Sequence, residues 1–349
     1  MFSGLTSSAG SALGGGRFSL VSVLPVAVLG GYIALLVECG AYSGHPEGLD
    51  RVAQLAHKNP GWTAAAVFGI FLAALLLRPF QILLVQALEG YWTDRAPFGL
   101  LARVAVERHQ RRFELARPRS RAWVNAPAAT TFEQHAARAR AQRRADVTAD
   151  RAGALLDLYP LPVDSEVPFV NDQLMPTMLG NILRDGENAA GSRYGLDLNT
   201  VEHRLRQVMS PRLQATLDRQ LDLLDTLCAL CVMFTAAFAV SAQLIALWDV
   251  WSFAPCTAVL AAFASYRGAL RIADEHRSIL ATAVDLHRFD MIRQLHYKLP
   301  GSALEERRLN AALTEFVSMR RDPAEQHLRW FRYDHGGPAA KPGKADSSA

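Results

Sequence analysis

The chain has 349 residues, a formal net charge of +4 and hydrophobic residues at half of its positions. Its mean hydropathy of +0.07 conceals two regimes, because long apolar runs alternate with polar segments rich in arginine. This length allows a four-helix membrane domain plus one soluble domain of ordinary size, and it excludes a larger assembly of domains.

Four apolar runs form two pairs. A run of about 20 apolar residues matches the hydrocarbon thickness of a bilayer, so the sequence predicts two membrane hairpins. Arg17 precedes the first run, but this run is too long for a signal core and no cleavage site follows it, so we expect a retained anchor. The runs are Phe18–Val37, Trp62–Leu88, Thr226–Leu247 and Val250–Tyr266.

Small residues within these runs predict close helix packing. Gly30 and Gly31 lie in the first run, and Ala65, Gly69 and Ala73 form a ridge in the second. The partner helix belongs either to the same chain or to another copy.

Arg78 and Pro79 interrupt the second run. We interpret Arg78 as a base that reaches the inner interface of the membrane, although an arginine in mid-membrane would be a functional-site candidate. The apolar stripe that begins at Phe80 and ends at Tyr91 predicts a helix packed on one side, against either the inner leaflet or the polar body.

The segment from Arg95 to Arg151 is strongly basic, with 13 arginines and five acidic residues. Two helices are expected, one over 98–115 that ends at Pro118 and one over 131–158 with a capping box of Thr130 and Glu133. Such a segment indicates contact with anionic lipid headgroups. Nucleic-acid binding is not expected, because no recognised module accompanies the charge.

Polar residues cluster between Pro176 and Asp197. A short helix over 178–187 is predicted, followed by a turn and a second helix that begins near Asn199 or Thr200. The polar residues of this cluster either line a ligand site or tie two short helices together. They are Asn181, Arg184, Tyr194 and Asp197.

The same segment resembles one found in uncharacterised multi-pass membrane proteins of actinobacteria. The shared residues are Pro176, Thr177, Leu179, Gly180, Asn181, Leu183 and Arg184, followed by the run Arg193 to Asp197. Met178 stands where that group has arginine, and of a Trp-Pro-Arg-Leu run only Arg204 and Leu205 match. The resemblance covers about a tenth of the chain and implies a bacterial membrane protein with two hairpins, without a known activity.

No catalytic, metal or nucleotide motif stands out, so the sequence predicts neither an enzyme nor a cofactor. Cys228 and Cys231 form a C-x-x-C pair inside an apolar run, where packing is the simpler interpretation. His276 and His287 share a helix face, which we interpret as solvated.

Arginines follow the second and fourth apolar runs, whereas the intervening loops carry few basic residues. The positive-inside rule therefore predicts a cell-membrane protein with both termini in the cytoplasm. The predicted fold class is all-α, with four membrane spans and a helical cytoplasmic body. The predicted regions are a disordered tail (1–17), a first hairpin with an interfacial helix (18–92), the body (93–222), a second hairpin (223–266), cytoplasmic C-terminal helices (267–335) and a disordered tail (336–349).

Two function classes follow. The first is a membrane-anchored scaffold or interaction protein that binds a cytoplasmic partner. The second is a subunit of a homo-oligomeric channel or transporter, similar to bestrophin-like anion channels in topology alone, with Gln81, Gln86 or Gln243 near a pore. Too few ionisable residues lie in the runs for an ion-coupled carrier.

Overall fold

Helices are the regular elements of the described structure. The computed structural model describes residues 23–42, 60–77, 80–92, 96–120, 131–160, 174–247, 249–318 and 329–334. These residues contain no strand, only an isolated bridge between Tyr297 and Tyr333, so the all-α prediction is confirmed. The helices are α1 (Leu24–Glu38), α2 (Pro60–Leu77), α3 (Gln81–Glu89), α4 (Phe98–Ser120), α5 (Phe132–Leu156), α6 (Met178–Ser192), α7 (Leu198–Val208), α8 (Pro211–Ser241), α9 (Phe253–Gln294) and α10 (Ala303–Val317), with short 3-10 helices at Ala242–Leu247 and Val250–Ser252.

The chain divides into two compact units. The first combines Met1–Asp185 with Thr216–Arg277, and the second combines Gly186–Ala215 with Ser278–Ala349. Each unit is therefore built from segments that are distant in the sequence.

One stretch of the described residues, Pro211–Leu247, is both long and apolar enough to cross a bilayer. A second is reached if Phe68–Leu77 and Ile82–Glu89, which meet at an angle of 61°, count as one broken span. The described residues of the second apolar run therefore form two helices, α2 and α3. In the sequence, Pro79 lies between them, and proline cannot donate the backbone hydrogen bond that continues a helix.

The first and fourth apolar runs also contain helices. In the first run, residues 18–22 lie outside the described residues, and the described helix is α1, with 15 residues. Most of the fourth run lies in α9, which has 42 residues in all and extends beyond the run into a charged region. Four membrane spans remain a prediction.

In the first unit, α1 packs against α2 and is hydrogen-bonded to α8. A Cβ atom placed on Gly30 of α1 would lie 3.1 Å from Ile70 of α2, which explains a small residue there. In contrast, Gly31 and Gly69 face open space. The Tyr32 hydroxyl donates a 2.8 Å hydrogen bond to Ser241 Oγ, which links α1 to α8.

An apolar core joins helices of the polar body to apolar helices in the first unit. Leu179 and Ile182 of α6 pack with Leu224 and Cys228 of α8 and with two alanines of α9. Side chains of α3 pack against the same core. Burial of these side chains stabilises the contact by roughly 1.5–3 kcal/mol for each large aliphatic residue.

Helices α4 and α5 form the basic part of the first unit. The Thr131 side chain accepts a hydrogen bond from the backbone amide of Gln134, and the Gln134 side chain accepts one from the backbone amide of Thr131. The capping box therefore begins one residue later than predicted. Helix α4 also includes Pro118 in its last turn instead of ending before it. Pro118 removes one backbone hydrogen bond there, because proline has no N–H to donate to the carbonyl oxygen one turn earlier.

The second unit contains a helix, α10, that had no individual prediction. Ser302 is its N-cap and accepts a hydrogen bond from the Glu305 amide. The Ser-x-x-Glu spacing of these two residues is a helix-start pattern in the sequence itself.

Candidate functional site

The predicted polar cluster divides between the two units. Asn181 and Arg184 belong to the first unit, whereas Tyr194 and Asp197 belong to the second. Each pair is therefore described within its own unit.

Asn181 is fully buried and uses its side-chain amide to hold the chain that leads into α6. Its Nδ2 atom donates to the carbonyl oxygens of Met175 at 3.0 Å and Thr177 at 2.8 Å. Its Oδ1 atom accepts from the Met175 amide at 2.8 Å. A buried amide with this set of partners acts as a structural tie.

A close backbone contact lies beside this amide. The Thr177 hydroxyl donates a 2.7 Å hydrogen bond to the carbonyl oxygen of Glu89, at the end of α3. A Cβ atom placed on Gly180 would lie only 2.0 Å from the same oxygen. Only glycine at this position lets α6 approach α3 so closely.

Arg184 is half-buried, and its guanidinium donates to Met175 Sδ at 3.4 Å. Together, Asn181 and Arg184 surround Met175 from two sides. The described contacts of this pair hold the segment that leads into α6, and the choice between a ligand site and a tie between two helices stays a prediction.

Arg277, which the sequence analysis did not identify as a site residue, links α9 to α6 within the first unit. Arg277 of α9 donates to Asp185 of α6 at 2.7 Å and to Asp274 at 2.6 Å, and it also contacts the Asp157 carbonyl oxygen. Asp185 is almost fully buried, so this ion pair is removed from most of the solvent. Sequence spacing gave no signal for it, because Asp185 and Arg277 are 92 positions apart.

Tyr194 lies in a charged network of the second unit. Its hydroxyl donates a 2.6 Å hydrogen bond to Asp285, and this bond, with burial, raises the pKa of Tyr194. The Arg288 guanidinium stacks 4.2 Å from the ring centroid and donates to Glu306 at 2.7 Å. Asn310 donates to the Tyr194 carbonyl oxygen at 2.9 Å, so backbone and side chain are both held.

Asp197 is the N-cap of α7. Its carboxylate accepts hydrogen bonds from the Asn199 amide and the Thr200 hydroxyl. Its own amide donates to the hydroxyl of Thr314 in α10. The predicted turn is confirmed, and Asp197 acts as a helix cap.

The other predicted site residues are Arg78, Gln81, Gln86 and Gln243. Gln86 and Gln243 have exposed side chains. Arg78 and the side chain of Gln81 lie outside the described residues. The pore hypothesis therefore remains a prediction.

The cysteines and possible metal ligands are also placed. All four cysteines are free thiols, buried at Cys39, Cys228 and Cys231 and exposed at Cys256. The part of the chain that the structure describes holds no group of three histidine, cysteine or acidic side chains suited to a metal ion.

A buried histidine lies under the basic helices. His109 Nδ1 is 2.9 Å from the Tyr159 hydroxyl, and Phe113 packs edge-on against the tyrosine ring. Burial, together with the nearby positive charge of Arg112, lowers the pKa of His109. Burial also raises the pKa of Tyr159, so both groups are neutral near pH 7.

Above this pair, α4 and α5 enclose a groove of about 440 Å³. Its polar lining consists of three arginines and one threonine, and its apolar lining comes from small and aliphatic side chains. The lining residues are Arg112, Leu115, Ala116 and Arg119 from α4, with Thr148, Arg151, Ala152 and Leu155 from α5.

Comparison with known proteins gave no relative: no family model, no curated protein and no solved structure matches this chain.

Proposed function

We propose that this chain is an integral membrane protein whose helical body is a scaffold for a cytoplasmic protein partner. The core shared by α3, α6, α8 and α9 carries the proposal. Leu224 and Cys228, where the third apolar run begins, pack directly on Leu179 and Ile182 of the body. If the apolar helices served only as a membrane anchor, they would not need to share an apolar core with the body.

Exposed apolar side chains support the membrane location. Phe68 and Leu76 of α2 are 66% and 63% exposed, and Leu260 and Phe263 of α9 are 67% and 63% exposed. Large apolar surfaces of this kind are rare on proteins surrounded by water. In a bilayer, these side chains would contact lipid tails.

The hydrogen-bond networks support a scaffold over an enzyme. Asn181 and Tyr194 are held in hydrogen bonds within the fold, Asp197 caps α7, and Arg277 forms a buried ion pair. Rigid connections between helices preserve a binding surface, which a scaffold requires.

Membrane location and topology are tested first. The full chain should remain in the membrane after alkaline extraction, and a reporter fused after Ala349 should read cytoplasmic. Release by alkali would refute the membrane proposal, and an external reading would refute the topology.

The scaffold is then tested against the channel alternative. Cross-linking of native membranes should recover a protein partner in fixed ratio to this chain, while the purified chain in vesicles should conduct no ions. Flux that falls in Gln86→Leu or Gln243→Leu, but not in the exposed control Gln207→Leu, would support the channel instead. The same cross-linking reports whether copies of the chain associate.

A further inference from the structure

We propose that the groove between α4 and α5 binds the headgroup of an anionic phospholipid. Arg112, Arg119 and Arg151 would hold the phosphate, and the apolar floor would contact the glycerol backbone and the first acyl carbons. This inference rests on the proposed membrane location and adds a ligand to it.

The lining of the groove matches an amphiphile. Its apolar side chains include Leu115 and Leu155, and Leu155 also packs on the buried cluster around Phe113 and Tyr159. This contact holds the Leu155 side chain in place as part of the apolar lining. A volume of about 440 Å³ suits a phosphate-bearing headgroup, since small-molecule sites typically measure about 300–1,000 Å³.

Arginine outnumbers acidic residues around the groove in the described part of the chain. Among the described residues, no acidic side chain lines the groove, and α4 and α5 together carry eleven arginines against five acidic residues. Within the described residues, the three arginines of the groove form none of the observed ion pairs. One planar guanidinium group can donate two parallel hydrogen bonds to phosphate oxygens, which makes arginine suited to this ligand.

The exposed surface of α4 favours a lipid over a free anion. Leu101, Val104 and Leu115 are each more than half exposed, at 55%, 65% and 57%. At 3.6 residues per turn, they share one face with Arg108, Arg112 and Arg119. A face with both aliphatic and arginine side chains suits a membrane interface, because arginine can lay its aliphatic stem along apolar surface and keep its charge in water. Three residues of this face, Arg112, Leu115 and Arg119, also line the groove.

The test measures lipid retention by the full chain. We would add phosphatidylglycerol or phosphatidylcholine to the detergent-solubilised chain and follow bound lipid by native mass spectrometry. The variant R112Q/R119Q/R151Q should bind phosphatidylglycerol at least about tenfold more weakly, because each basic residue near an anionic lipid contributes about 1 kcal/mol. Phosphatidylcholine should bind weakly to both.

A charge-matched control separates a site from general attraction. R138Q/R143Q/R144Q removes three exposed arginines of α5 that do not line the groove, so it should retain wild-type affinity. Thr148→Phe places a ring in the groove without a change of charge, and it should weaken binding. Equal losses in both triple variants, with wild-type binding in Thr148→Phe, would overturn the proposal.

Competition distinguishes the lipid from other anions. Inorganic phosphate or a short single-stranded oligonucleotide should not displace phosphatidylglycerol, and full displacement by either would overturn the choice of a lipid. If the triple variant keeps its lipid while the wild-type chain resists alkaline extraction, the groove inference fails and the membrane proposal stands.

Discussion

Replacement of Gly180 by alanine should destabilise the protein, although the same change stabilises most helices. Alanine is favoured over glycine in a helix interior by about 1 kcal/mol. At Gly180, however, the new Cβ atom would lie 2.0 Å from the Glu89 carbonyl oxygen, whereas real Cβ atoms stay at least 3.0 Å from such atoms. Helices α3 and α6 would have to separate by about 1 Å.

The cost of this separation has two parts. Overpacking of a tight contact costs about 1–3 kcal/mol, and loss of the Thr177 to Glu89 hydrogen bond costs about 1 kcal/mol. After subtraction of the propensity gain, we expect Gly180→Ala to lower the free energy of unfolding by about 1–3 kcal/mol.

Gly153 provides the matched control. It also lies in a helix, but a Cβ atom there meets nothing within 4 Å, so Gly153→Ala should raise stability by about 0.5–1 kcal/mol. Thermal unfolding of the full chain in detergent, followed by far-ultraviolet circular dichroism, measures both variants. A midpoint for Gly180→Ala equal to or above that of wild type would refute the close contact between α3 and α6.

Three further outcomes are expected from the same unfolding measurement. Gln220 is buried, and neither the oxygen nor the nitrogen of its side-chain amide has a hydrogen-bond partner among the described residues. Gln220→Met should therefore raise the free energy of unfolding by about 1–3 kcal/mol. An unchanged or lower unfolding midpoint would contradict this. Because the pKa of His109 is lowered in the fold, its contribution to the free energy of unfolding is complete above the unfolded value of 6.5 and is lost as pH falls from there through the lowered folded pKa. His109→Gln can still bond to Tyr159 and should make the unfolding midpoint depend less on pH. An unaltered dependence of the midpoint on pH would contradict this. Arg288→Met leaves Glu306 buried without its cation and should lower the free energy of unfolding by about 3–5 kcal/mol. Addition of Glu306→Gln should recover part of this stability. If the effects of the two substitutions simply add, the result would argue against the ion pair.

The helical class and many helix positions were readable from the sequence. A proline stop and a capping box supported helices over 98–115 and 131–158, and the structure places α4 and α5 there. The Asp197 turn was also visible, because Asx residues before a periodic segment favour helix caps. These signals act within a few residues of each other, so one chain suffices to read them.

The partners of the candidate residues could not be read in the same way. Asn181 and Tyr194 were identified as polar residues of one segment, but each serves a different unit. Tyr194 meets Asp285, and Thr177 meets the carbonyl oxygen of Glu89, across 91 and 88 positions. No local pattern encodes which distant helix supplies the partner.

The sequence by itself determined the helical class, the four apolar runs and the concentration of arginine after the second run. These properties depend on composition and on the period of the helix, which are local. Only the tertiary structure decided that Gly180 admits the Glu89 carbonyl and that Arg112, Arg119 and Arg151 surround one groove. Those features depend on which helix faces meet, and that choice follows from burial of the whole core.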